Sequence, residues 1–190
     1  MSTGGGQKLR KKTYTALSAS TFVNAVGSNI QLGIWPFYLE HNQIGDELYG
    51  AFTTASNMAG ILARALSSRL GVLGESMPFV IGVVASAGMM LVYASVPSSV
   101  GIALGMALSA VSMALVVMGR TTIVGRAHER TGLATTYAVL ITLANIGLIV
   151  GTNLGTFVFP YLGYQELFAA GGVVCLIGVV VAFGWLPKSR

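Results

Sequence analysis

The sequence predicts an all-α, polytopic membrane protein with six transmembrane helices arranged as two inverted three-helix repeats. Three observations predict it. Of 190 residues, 54% are hydrophobic and only 9% charged, with a mean hydropathy of +0.74, whereas a soluble domain carries roughly a quarter charged residues. The chain also divides into six apolar stretches of the ~20 residues needed to cross ~30 Å of hydrocarbon. Finally, with six crossings, all eleven lysines and arginines fall on the side of the N-terminus.

The elements follow in order. Residues 1–13, "MSTGGGQKLRKKT", read as a flexible basic cytoplasmic tail. The apolar run behind it is too long for a signal-peptide core, and no A-x-A-like cleavage site follows, so the tail is expected to be retained. Spans are expected at 14–38, 47–67, 77–96, 99–119, 134–158 and 166–187, with 188–190 as a cytoplasmic end. The breaks are "EHNQIGDE", "SRLGVLGES", "VPSS", "RTTIVGRAHERTG" and "PYLGYQE". All but the fourth are short, which makes consecutive helices antiparallel neighbours.

Charge sets the direction. Lys8, Arg10, Lys11, Lys12, Arg64, Arg69, Arg120, Arg126, Arg130, Lys188 and Arg190 share one side, while Glu40, Asp46, Glu47 and Glu166 occupy the other. Positive residues stay cytoplasmic during insertion, so both termini are expected inside, with the cell membrane as the location. Arg64, near the end of the second span, is expected to snorkel towards the headgroups.

Polar side chains are unevenly spread. The first span carries Ser20, Asn24, Ser28, Gln31 and Trp35, and the second Tyr49, Thr53, Asn57, Gly60 and Arg64, spaced by three or four and so along one face. The fourth has a milder stripe of Gly105, Ser109 and Ser112. The fifth carries Thr142, Asn145, Thr152, Asn153 and Thr156. The third and sixth spans are almost wholly apolar. Unpaired amides facing lipid cost free energy, so spans 1, 2, 4 and 5 are expected inside around a polar cavity, with 3 and 6 outside. The order polar, polar, apolar repeats in the two triplets. Since three is odd, the second copy must be inverted, a recurring build of secondary transporters.

Several chemistries are excluded. A single cysteine, Cys175, in an apolar run rules out an internal disulfide and a multi-cysteine metal cluster. His41 and His128 lie in polar linkers, so no metal site and no cofactor are expected. Nucleic-acid binding has no support, because membrane orientation accounts for the net charge of +5. An intramembrane serine protease needs a Gly-x-Ser-Gly serine and a facing histidine within the spans; neither is present, so no catalytic residue is expected.

"LSSRLG" (66–71) resembles the cytoplasmic loop between helices 2 and 3 of the major facilitator superfamily, with Leu66, Arg69 and Gly71 matching. Ser68 stands in place of the family's aspartate and Arg64 in place of its first glycine. "GRAHERTGLATTYAV" (125–139) is similar to the basic loop after helix 4, with Arg130, Gly132 and Ala134 in place. "GLIVGTNLGT" (147–156) resembles the helix 5 pattern, with Gly147, Gly151 and Gly155 matching and Thr152 replacing its proline. Glycines at this spacing suit close helix packing. "YLGYQELF" (161–168) looks like the loop into helix 6.

The resemblance implies a half of that family's fold, since its members have twelve helices in two six-helix halves. It implies a secondary transporter half that moves a small solute by alternating access. The other half would be a separate chain, a second copy, or a missing C-terminal part. Asn24, Ser28, Gln31, Asn57, Asn145 and Asn153 are the expected substrate-binding residues. Arg64, Ser68, Arg69, Gly71 and Arg130 are expected in cytoplasmic gating. The alternative is a non-transporting membrane-embedded interaction or regulatory protein derived from such a half. Expected partners are the lipid bilayer, a small-molecule substrate and the second six-helix half.

Overall fold

The computed structural model describes residues 3–74, 76–127 and 133–185, with the backbone alone for 3–11, 68, 73, 126, 127 and 185. It comprises α1 (Thr3–Asn29), α2 (Trp35–His41), α3 (Asp46–Leu73), α4 (Met77–Ser95), α5 (Ser99–Ala127) and α6 (Leu133–Trp185). Among the described residues there is no strand. Met77–Ser95, Ser99–Gly125 and Leu133–Gly184 are long and apolar enough to cross a membrane. The last is two rods joined at a kink, where Gly163 leaves the helix with φ 78° and ψ −175°.

The helix boundaries have local causes. The first expected span is broken at residues 30–34, and α2 restarts with Pro36 in its first turn. Proline has no N–H to donate and its ring clashes with the carbonyl four residues back, so α1 cannot run on through it. The turn is closed instead by Leu32 N–H donating to Asn29 O (3.1 Å) and Ile34 N–H to Gln31 O (3.0 Å). Asp46 and Glu47 occupy the first turn of α3, where carboxylates complement the helix dipole. Pro78 opens α4, a position where its missing N–H costs nothing.

Four stretches expected as tail or loop are helical. α1 begins at Thr3 inside the expected flexible tail, α3 continues to Leu73 through "LSSRLG", and α5 continues to Ala127. "PYLGYQE" is likewise helical except at Gly163.

The packing order is α3 on α5, α5 on α4, α4 on α6, and α6 on α1. Glycines let the backbones close up. A Cβ on Gly147, Gly151 or Gly155 would fall 2.8 Å from Phe22 O, 2.3 Å from Val26 O and 1.8 Å from Ile30 O, so the first half of α6 lies against the backbone of α1. Gly27 of α1 meets the second half of α6 in the same way, at Gly171 O and Cys175. Gly82 on α4 faces Val116 of α5, and Gly119 on α5 faces Phe79 of α4.

This packing corrects the expected layout, because α4, the third span, lies centrally between α5 and α6 rather than outside. Phe79, Val83, Ala87, Met89, Met90 and Tyr93 on it are all buried. An apolar helix is equally content against lipid or against other helices, so lack of polarity does not set its place.

Two large clusters fill the interior, beside a smaller one of Ala63, Ala114 and Leu115 between α3 and α5. One gathers Leu17, Phe79, Val83, Val124, Leu140 and Ala182. The other gathers Ile30, Tyr38, Met90, Tyr93, Leu167 and Phe168. In the second, Tyr38 stands edge-on to Phe168 with ring centroids 4.7 Å apart and donates from its hydroxyl to Tyr93 O (3.2 Å). His41 stacks on Tyr164 at 5.1 Å. This brings the α2–α3 turn beside the α6 kink, so Glu40, Asp46, Glu47 and Glu166 lie at one end of the bundle.

Candidate functional site

The polar stripes of α1 and α3 have the same spacing but meet different surroundings. On α1 the stripe is the buried face. Ser20 Oγ donates to Gly178 O on α6 (2.8 Å) and Asn24 is buried close to Gly178; in the turn just past α1, buried Gln31 points Nε2 at Met89 Sδ on α4 (3.8 Å). Ser28, between them, is half-buried. Ser20 therefore ties two helices together, the role a hydroxyl fills where no water competes.

Among the described residues of α3, Gly60, Ala63 and Ser67 are buried, the first two where the helix meets α5. Asn57 is exposed, as are Tyr49 and Arg64. On the first half of α6 the stripe divides. Thr152 Oγ1 donates to Asn29 O (3.4 Å) and Thr156 approaches Gly33, both on the α1 side. Asn145 and Asn153 are exposed, and Asn153 Nδ2 donates back to Ile149 O (2.8 Å). Of the six expected substrate residues, Asn24 and Gln31 thus lie inside the bundle, Ser28 at its edge, and Asn57, Asn145 and Asn153 on its open surface.

The mild stripe of the fourth span is accounted for by packing. Gly105 admits the ring of Tyr93, and the hydroxyls of Ser112 and Ser86 share a hydrogen bond between α5 and α4. The groove beside it, lined by Ala59, Leu62, Ala63, Leu66, Leu70, Val111 and Leu115, is apolar and suits hydrocarbon rather than a polar solute.

The expected gating residues sit at the end of α3 and beyond. Arg64 and Arg69 are exposed, and Arg64 O accepts from Ser67 Oγ (2.6 Å). A Cβ on Gly71 would meet nothing within 4 Å. The Ser68 side chain and Arg130 lie outside the described residues. Among the described residues no group of histidine, cysteine, aspartate and glutamate is placed to hold a metal ion.

An all-helical, glycine-seamed bundle with apolar helices and uncovered amides accords with the match found by comparison with known families. Residues 17–190 match the model of the Major Facilitator Superfamily. The chain belongs to the major facilitator superfamily. No curated protein matches it. Major facilitators are transporters rather than enzymes, and membership together with the apolar helices makes this chain an integral membrane protein of transporter type.

Sequence reasoning missed one participant among the polar residues of this major facilitator bundle. Thr21 is buried with its hydroxyl unpartnered. Its signal was present, because it stands three residues before Asn24 and shares its face of α1.

Proposed function

We propose that the chain forms the first half of a secondary transporter and moves a small solute by alternating access with a second six-helix half. The reading takes the break at residues 30–34 as an interruption within the first of six crossings and the kink at Gly163 as the junction between the fifth and the sixth, with the six built as two inverted triplets. One observation carries it. Asn57, Asn145 and Asn153 are exposed on helices whose other exposed residues include Met58, Ile61, Ile146, Ile149 and Phe157. Amides on such a face do not belong in hydrocarbon. A second half covering this face would turn them into the wall of a polar cavity.

In this reading Ser28, Asn57, Asn145 and Asn153 contact the solute, while Asn24 and Gln31 stand behind them. Arg64, Ser68, Arg69, Gly71 and Arg130 act at the cytoplasmic closure. Both termini are cytoplasmic, since that places the cationic end inside. Neutral, hydrogen-bonding side chains match a neutral or mildly polar solute.

Spin labels at Asn57→Cys and Asn145→Cys, in lipid bilayers at cellular stoichiometry, test it. Accessibility to a water-soluble relaxation agent, together with a particle mass above that of one chain, is the expected result. Labels relaxed by lipid-dissolved oxygen on a strictly monomeric particle would overturn it and leave the non-transporting alternative.

A further inference from the structure

The groove between α3 and α5 is a cavity of about 390 Å³ lined by alanine, leucine and valine. It runs from Ala59 to Leu70 on α3, with Val111 and Leu115 of α5 as the opposite wall. Eleven residues at 1.5 Å each span ~16 Å, close to the ~15 Å depth of one leaflet. The stretch starts near the middle of α3 and finishes three residues before Leu73, the last of the helix. Leu62 and Leu66 on its rim are 62% and 51% exposed. The groove also faces away from the amides. Leu66 stands nine residues after Asn57, about two and a half helical turns, so the two lie on opposite sides of α3. A second half laid over Asn57 therefore leaves the groove open.

We propose that this groove seats one acyl chain of an anionic phospholipid whose phosphate is taken by Arg69. A cation stands at the level of the headgroup. Arg69 is exposed, seven residues after Leu62 and three after Leu66, so it continues the groove-lining face to the basic end of the helix. Its guanidinium can offer two parallel N–H groups to a phosphate. Arg64 has the same charge and is also exposed, but it follows Leu62 by two residues, which turns it to the far side of α3. A helix of another protein fits the groove less well. Membrane helices associate through small residues that let backbones meet, and here the protruding Leu62 and Leu66 hold a second backbone off. The site adds a lipid to the cytoplasmic closure proposed above, yet it depends on no step of transport, so its failure and the failure of the transporter reading are separable.

Native mass spectrometry of the full chain, released from nanodiscs holding equal amounts of phosphatidylglycerol and phosphatidylcholine, tests it. The expected result is one retained lipid per chain, with phosphatidylglycerol favoured about fivefold, the effect of one cation beside anionic lipid. Arg69→Gln is expected to bring the two lipids to parity, and Arg64→Gln to leave the preference intact. Ala59→Phe, which fills the inner end of the groove, is expected to lower retention of both lipids several-fold. Equal retention of the two lipids by the wild-type chain would overturn the proposal, and that comparison needs no variant to fold. So would an equal loss of preference in Arg64→Gln and Arg69→Gln, the mark of a diffuse basic surface. A lipid-free particle from which Ala59→Phe releases a second chain would overturn it too, with a protein helix as the occupant.

Discussion

Helices α1 and α3 were written in nearly the same polar rhythm and ended in opposite surroundings. Each carries polar or small residues every three or four positions, yet α1 turns that face into the bundle and α3 leaves most of it uncovered. The difference lies in the neighbours. α1 is held by both halves of α6, whose glycines leave no side chain between the backbones, while α3 rests chiefly on α5. A helix gripped on two sides must bury its stripe, and the buried residues then serve packing. A helix gripped on one side keeps its amides free for something else.

The sharpest way to break that contrast is to remove the grip. In Gly155→Ala the new methyl falls 1.8 Å from Ile30 O, a backbone atom that cannot swing aside. Thermal unfolding in detergent is expected to show a loss of roughly 3 kcal/mol, the upper range for overpacking. The matching change on α3, Gly60→Ala, brings its methyl only to 3.4 Å from Ala110. Its expected cost is close to zero, since a helix gains up to ~1 kcal/mol from alanine over glycine. Equal losses at the two sites would mean that α3 is held as tightly as α1.

Next in size is the α6 kink that lets one continuous stretch grip α1 from two directions. Gly163 has φ 78° and ψ −175°, a region that a side chain enters at a cost of about 2 kcal/mol. Gly163→Ala is therefore expected to lower the unfolding temperature and loosen the His41–Tyr164 stack, read as increased tyrosine quenching by an aqueous quencher. An unchanged unfolding midpoint would mean that the kink does not depend on glycine.

What was legible in the sequence follows from these forces. Apolar runs and the separation of Arg64 and Arg69 from Glu40 and Asp46 were readable because both are properties of residues taken singly. The α1 break was hidden inside a continuous apolar run, although Pro36 marked it, because hydropathy averages over a proline. The sequence marks a break around Gly163 but not its length, since a loop and a one-residue helix break use the same glycine and proline. The direction of the Asn24 and Gln31 face was unreadable for a deeper reason. Periodicity states which residues share a face, but only the glycines of α6, more than a hundred positions away, decide what that face meets. The central place of α4 escaped for the same cause, since Val83 and Met90 would suit lipid equally well.

The smallest effects test what the two stripes are for. Ser20→Ala removes the hydroxyl that donates to Gly178 O and is expected to cost ~1 kcal/mol, the usual worth of such a bond. Asn57→Ala, on the uncovered face of α3, is expected to change stability by less than ~0.5 kcal/mol, as surface substitutions do. Its effect should appear elsewhere, as a several-fold loss of solute uptake by the assembled transporter. The two variants thus form a crossed pair: Ser20 moves stability more than Asn57, and Asn57 moves uptake more than Ser20. If Asn57→Ala instead destabilised the chain as much as Ser20→Ala, the amide would be serving as glue within this half. Exposed Asn145 would then be the stronger candidate for meeting the solute.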